Sequence, residues 1–419
     1  MSRATGTATV GAGSRAGTGT AVVTGLGVLA PGGLGADEFW AATLEGRSAI
    51  GPIDRYDASR YASRFAGQVH GFEPAAHLPS RLIPQTDPVT RFAVAAADWA
   101  LADSGIDLAQ LDPLEAGVVT ANASGGFEFT QHEVQKLWTL GPRHVSAFQC
   151  FAWFYAVNTG QISIRNNLRG AGSALVAEQA AGLDVLGQAR RLLRKGLKVA
   201  LAGGFEAPLN PYAVVSQLAH GRLSRAHRPD RAYLPFDPEA QGYVPGEGGA
   251  LLVVEDAGTA EQRGAPHRYG ELAGYAASFD PHPESGRPPT LVRALRGALD
   301  DARVRPDEID VVFADAAGVP ELDRVETEAL AEVFGPRAVP VTAPKTRTGR
   351  LLAGGPPVDV AAALLALRDQ VIPPTVHVRP SHELPLDLVL DEPREVRLRT
   401  ALVLARGYGG FNSALVVRR

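Results

Sequence analysis

Cysteine is nearly missing from this 419-residue chain, in which Cys150 stands alone. No disulfide can close within it, and a reducing compartment such as the cytoplasm suits that usage. Lysine is also scarce, with four residues against 37 arginines, and the formal net charge is only −4. No basic excess marks nucleic acid or an anionic membrane as a partner. The densest basic run, Arg190-Arg191-Leu192-Leu193-Arg194-Lys195, fits a solvated helix face. No run of 18 apolar residues exists, so no membrane span is expected. The ten histidines lack metal-ligand spacing: His377 and His382 are close, but sit in a proline-rich segment without further ligands. The glycine run 407–410 leads into a strand pattern rather than a helix, which argues against a phosphate loop.

What is present suits a large globular core, with 45% hydrophobic and 21% charged residues. Residues 1–20, rich in Gly, Ala, Thr and Ser, read as a disordered tail. The apolar stretch 21–30 could pass for the core of a signal peptide, but Thr24, Gly25 and Gly27 interrupt it and Pro31-Gly32-Gly33 follows. A buried strand, expected at 21–24, running into a turn is the better reading. Further strands are expected at 116–120, 174–177, 199–202, 250–254, 310–314, 339–342, 400–405 and 413–417. Helices are expected at 37–45, 89–103, 182–195, 289–302, 323–334 and 358–370. The alternation indicates an α/β protein with buried sheets.

A weak repeat runs through the pattern. A helix ending Ala100-Leu101-Ala102-Asp103 precedes Leu111-Asp112 and the strand Gly117-Val118-Val119-Thr120. A second helix ending Ala298-Leu299-Asp300-Asp301 precedes Ile309-Asp310 and the strand Val311-Val312-Phe313. Such a duplication implies two similar α/β halves, here 21–256 and 257–419, divided at the polar stretch 256–269.

The segment Ser173-Ala174-Leu175-Val176-Ala177-Glu178-Gln179-Ala180-Ala181-Gly182 runs from an apolar strand into a helix. A residue at that elbow faces the positive end of the helix dipole, a place that lowers the pKa of a thiol. The residue present is Gln179, which neither ionises nor attacks a carbonyl. By itself the segment fits a buried strand followed by a polar helix start.

Other motifs place it in context. Val22-Val23-Thr24-Gly25-Leu26-Gly27 resembles the opening strand of ketosynthases. Phe236-Asp237-Pro238 with Gly242-Tyr243-Val244-Pro245-Gly246-Glu247-Gly248 resembles their buried acidic loop. Arg406-Gly407-Tyr408-Gly409-Gly410-Phe411-Asn412-Ser413 resembles their C-terminal glycine-rich loop. The similarity spans about residues 20 to 419, in order. It implies a thiolase-like fold: duplicated α/β halves giving a layered α-β-α-β-α sandwich. It also implies a catalytic cysteine and two histidines. The cysteine position matches Gln179. The first histidine, ahead of a Gly and an Asp-Arg-x-Glu-Thr stretch, matches Asp315. The second, five residues after Lys345, matches Arg350. Lys345 is retained and the other three are replaced, so no catalytic set is intact. Asp315 and Arg350 are expected to pair as a structural ion pair.

The glutamine, the phrase 151–165 beginning Phe151-Ala152-Trp153-Phe154-Tyr155, and Thr342-Ala343-Pro344-Lys345-Thr346 resemble one branch of the family. That branch is the chain length factor, or ketosynthase beta subunit, of bacterial type II polyketide synthases. The resemblance implies a heterodimer with an active ketosynthase alpha subunit and an acyl carrier protein as further partner. No cofactor is bound directly; the complex handles the carrier's phosphopantetheine. Phe127, Thr130 and Val134, three and four apart on one helix face, would line the end of the chain-elongation tunnel. Spacing alone would equally fit an apolar core face. Cys150, among aromatics near the same region, is expected to be a buried thiol. Two other roles stay open: a malonyl-carrier-protein decarboxylase, or a purely structural stabiliser of the ketosynthase.

Overall fold

The computed structural model describes residues 19–419, so nearly all of the tail expected at 1–20 lies outside the described residues. Ten strands carry the architecture: β1 (Ala21–Ala30), β2 (Ala116–Ala121), β3 (Gly172–Leu175), β4 (Val199–Glu206), β5 (Gly248–Asp256), β6 (Gly270–Phe279), β7 (Val311–Phe313), β8 (Pro340–Thr342), β9 (Thr400–Arg406) and β10 (Phe411–Arg418). The principal helices are α1 (Ala36–Leu44), α2 (Pro88–Ser104), α3 (Phe127–Leu140), α4 (Val157–Asn166), α5 (Ala181–Arg194), α6 (Pro211–Leu218), α7 (Leu291–Ala302), α8 (Pro320–Phe334) and α9 (Gly355–Asp369).

The two halves repeat one sheet order. The first runs β1-β5-β4-β2-β3 and the second β6-β10-β9-β7-β8. In each, the first three strands are antiparallel neighbours and the last three parallel ones. They meet where β1 pairs with β6, Val22 opposite Glu271 and Val23 opposite Gly270. The repeat read from the sequence, α2 into β2 and α7 into β7, is this duplication.

Helices α5 and α9 lie between the two sheets, while α2 and α7 cover the outer faces. The result is the five-layered α-β-α-β-α sandwich. Composition explains the middle layer. In α9 every residue from Pro356 to Leu367 is buried, and a helix apolar all round belongs inside a core. Burying each Leu or Val there contributes about 1.5–3 kcal/mol. The single charge, Asp359, meets the Lys345 Nζ at 2.7 Å.

The apolar stretch at 21–30 is a fully buried strand. Its glycines have a packing reason: a Cβ at Gly27 would lie 1.9 Å from the Ala96 carbonyl oxygen of α2. Helix α2 starts as its sequence dictates, with the Asp87 side chain accepting from the Val89 N–H and Pro88 in the first turn.

Some features were not anticipated. Strand β6 is ten residues long, yet its Gly-Glu-Leu-Ala-Gly-Tyr-Ala-Ala-Ser-Phe shows no clean alternation and few β-branched residues. Backbone pairing with β10 along almost its whole length holds it. Helices α4 and α6 also went unread. Cys150, expected to be buried, is exposed on the short helix Gln149–Ala152; a partly solvated surface segment carries it there. No helix among the described residues is long and apolar enough to cross a membrane.

Candidate functional site

Strand β3 ends at Leu175, and the chain turns through Glu178, held at φ 49°, before α5 begins at Ala181. This turn places Gln179 at the helix start, as the sequence indicates. The left-handed conformation of Glu178 is uncommon for a residue with a side chain, and its carboxylate accepts from the Tyr408 N–H at 2.8 Å. Gln179 itself is 1% exposed.

Asp315 follows β7, and Arg350 follows the short helix Pro344–Arg347. The fold brings both to Gln179. The Arg350 Nη2 donates to the two Asp315 carboxylate oxygens at 3.1 Å each and to the Arg406 carbonyl at 2.6 Å. The Gln179 Nε2 donates to the Asp315 Oδ1 at 2.9 Å, and the Arg406 N–H reaches the same oxygen at 2.8 Å. The three positions substituted relative to the ketosynthase pattern therefore form one connected cluster. Asp315 and Arg350 make the ion pair expected of them. Lys345 stands behind, donating to the carbonyl of Ala314 at 2.7 Å.

The electrostatics follow from this geometry. Burial pushes the Asp315 carboxyl up, but Arg350, Lys345 and the Arg406 N–H outweigh it and hold it below the ordinary carboxylate range. Arg350 is held above its usual range, with Asp315 and Glu178 overcoming its burial. Two neighbouring carboxyls go the other way. Burial raises Asp323 to about 8, although it accepts from the Phe236 and Gly318 N–H groups. Burial and the nearby Asp315 raise Glu326 to about 7; it accepts from the Asp315 and Ala316 N–H groups.

A cleft of about 810 Å³ opens in front of this cluster. Glu178, Arg350, Leu352 and Tyr408 are among its lining residues; Gln179 is not. Sequence reasoning missed His220 and Arg222 here. Both sit on Tyr408: the Arg222 guanidinium is 4.8 Å from the ring centroid and the His220 ring stacks at 5.6 Å. Nothing in the local pattern around them signals this, since α6 and the glycine-rich turn meet only in the fold.

Phe127, Thr130 and Val134 all lie on α3, but in different surroundings. Phe127 borders the cleft, its ring 5.2 Å from that of Tyr212 on α6. The Thr130 hydroxyl donates to the Gly126 carbonyl at 2.8 Å and accepts from the Gln149 amide at 3.3 Å. Val134 is 42% exposed, and Trp138 one turn on is 81% exposed. This is not a core face. The one buried residue of α3 is Glu133, which accepts from the Lys136 Nζ and the Ser146 N–H. Burial raises Glu133, and these two donors bring it below its usual range. Exposed Trp153, Phe154, Tyr155 and Val176 add to the apolar surface on nearby segments of this half.

Two family models match the chain. "Beta-ketoacyl synthase, N-terminal domain" covers residues 20–260, and "Beta-ketoacyl synthase, C-terminal domain" covers 269–379. The chain belongs to the beta-ketoacyl synthase family. Among its members, this chain is 60% identical over 400 residues to the tetracenomycin polyketide synthase ketoacyl synthase beta subunit of Streptomyces glaucescens. That match covers 95% of this chain and 98% of the relative. It is 58% identical over 399 residues to the actinorhodin polyketide putative beta-ketoacyl synthase 2 of Streptomyces coelicolor, with the same coverage. The solved ishigamide ketosynthase/chain length factor superposes with a TM-score of 0.87 at 27% identity, over 95% of this chain and 98% of that one. A type II polyketide synthase ketosynthase in complex with its acyl carrier protein gives 0.85 at 27% identity, over 95% and 99%.

Proposed function

We propose that this beta-ketoacyl synthase relative is a catalytically inactive chain length factor, the beta subunit that pairs with an active ketosynthase alpha subunit in a type II polyketide synthase. One observation carries the reading: Gln179 and Arg350 both donate to Asp315 in a buried cluster, which leaves no nucleophile and no proton-shuttling imidazole at its centre. An arginine donates hydrogen bonds but does not exchange protons near neutral pH. The partner ketosynthase then performs the condensation, on chains carried by the phosphopantetheine of an acyl carrier protein. The assembly belongs in the cytoplasm, in keeping with the single, unpaired cysteine.

In this reading α3 meets the partner, and Phe127, Thr130 and Val134 line the far end of its elongation tunnel. The ruler is volume, because a closely packed interface yields to extra methylenes only at a cost. A valine at 134 leaves room that a phenylalanine would fill. Reconstitution of Val134→Phe with a partner ketosynthase, carrier protein and malonyl units tests this by product mass. A shorter main product is expected. Unchanged length with reduced complex yield would instead make the subunit a structural stabiliser.

A decarboxylase role for Gln179 has less support, because its amide is sealed behind Glu178 and Arg350 and already donates to Asp315. Malonyl-carrier decarboxylation by the assembled complex should be the same with Gln179→Ala as with the native residue. A large fall would restore the decarboxylase reading.

A further inference from the structure

The first turn of α3 is held by buried carboxylates that belong to neither the cleft cluster nor the proposed tunnel. Glu206, at the end of β4, is fully buried. It accepts from the Ala123 N–H, from the Ser124 N–H at 3.3 Å and from the Ser124 hydroxyl. Asp87, 1% exposed, caps α2 through the Val89 N–H at 3.0 Å. Its other oxygen crosses to α3 and accepts from the Phe129 N–H at 2.9 Å. Asn122 closes the set, donating to the Phe205 carbonyl at 3.0 Å and accepting from the Gly125 N–H at 2.5 Å.

Between these anchors the backbone has little freedom. Gly125 sits at φ 67°, and a Cβ there would lie 2.2 Å from the Trp153 carbonyl oxygen. Further along, the Gln131 side-chain oxygen accepts from the Asn210 amide and the Tyr212 N–H at 2.8 Å each and Glu133 accepts from the Ser146 N–H, while Glu133 alone is buried on α3. The entry turn therefore helps set the axial position and rotation of the helix. Phe127 and Thr130 lie within that turn, and Val134 lies one to two turns beyond it, so a small rotation at residues 122–129 displaces all three.

We propose that Asp87 and Glu206 are positioning residues for product length: they hold the N-terminus of α3 and thereby set where Phe127, Thr130 and Val134 stand. This rests on the tunnel reading above. Neither carboxylate touches the growing chain. Each acts through the backbone it holds. An amide in place of either carboxylate keeps the size but replaces an accepting oxygen with a donor that faces an N–H. Leaving a buried N–H without its acceptor is costly, and part of that cost is relieved by moving the turn.

The test compares Glu206→Gln, Asp87→Asn and the milder Ser124→Ala, each assembled with the partner ketosynthase and isolated as the heterodimer. Products are counted by chain length. The ratio of main product to other lengths should fall roughly fivefold or more in the carboxylate variants, and less in Ser124→Ala. Val134→Phe is run beside them. If Val134→Phe changes length while the anchor variants lower only yield or turnover, the positioning role is wrong and the tunnel reading stands. If Val134→Phe also leaves length unchanged, the tunnel reading falls and this inference with it. Should both carboxylate variants fail to fold, Ser124→Ala decides, because it removes only the hydroxyl donor to Glu206; an unaltered distribution there overturns the proposal.

Discussion

The cluster around Asp315 and the outer face of α3 lie in the same chain but are built on opposite terms. Around Asp315 every charge has a partner of opposite sign or a hydrogen bond, and the groups are buried. Along α3 the apolar side chains Val134 and Trp138 stand in the open, with the charge of Glu133 tucked beneath. The first arrangement is finished within one chain. The second leaves large apolar side chains in solvent, which is the character of an interaction surface. Around Asp315 the charged groups are spent on one another, whereas apolar side chains of α3 remain exposed, and under the proposed function that exposed face is where the subunit acts.

The largest expected effect breaks the finished side. Arg350→Leu leaves Asp315 buried without its cation, a loss of about 3–5 kcal/mol. The urea midpoint should drop accordingly, and adding Asp315→Leu should recover much of it, since the uncompensated charge is then gone. A single variant as stable as the native chain would mean that water reaches the site.

The next effect falls on the unfinished side. Trp138→Asp should leave the urea midpoint of the isolated subunit within about 0.5 kcal/mol, as befits an exposed position. A central aromatic at an interface is worth about 2 kcal/mol or more. Affinity for the partner ketosynthase, measured by titration of the purified subunits, should then fall roughly thirtyfold. Unchanged affinity would place Trp138 outside the interface.

The smallest effect, read as the change in slope that a single substitution makes, concerns pH and separates groups within the finished side. Asp323 at about 8 and Glu326 at about 7 hold protons in the fold that the unfolded chain has already released. Their contribution is full below pH 4 and is lost as pH rises toward 7 and 8. Asp315, held low, works in the other direction, and its contribution fades only as pH falls below the ordinary carboxylate range. Stability should therefore decline between pH 5.5 and 7.5, a window chosen about these values, by up to roughly 1.4 kcal/mol per pH unit for each raised group. Asp323→Asn should flatten the slope. An equally steep slope in that variant would assign the titration elsewhere.

Much of the fold was legible in the sequence because its signals are local. The interrupted apolar run at 21–30 and the repeat of helix, turn and strand each depend on neighbours within about twenty residues. Strand β6 was not legible. Its small residues carry no pattern, and its pairing with β10 joins positions more than 130 residues apart. Cys150 was misjudged for a related reason, since nearby aromatics suggest a core only when they themselves face inward, and Trp153, Phe154 and Tyr155 do not.

The sequence by itself determined that no thiolate can form at the elbow, because Gln179 is a matter of residue identity. The ketosynthase resemblance put Asp315 and Arg350 in one pocket, and their opposite charges then made them expected partners. Tertiary structure decided that Gln179 joins them through one carboxylate oxygen, that the cleft stops short of its amide, and that the face of α3 points outward. Periodicity tells which side chains share a face of a helix, but not what that face meets. That depends on how the neighbouring elements pack, here with Glu133 inward and Val134 and Trp138 to the surface.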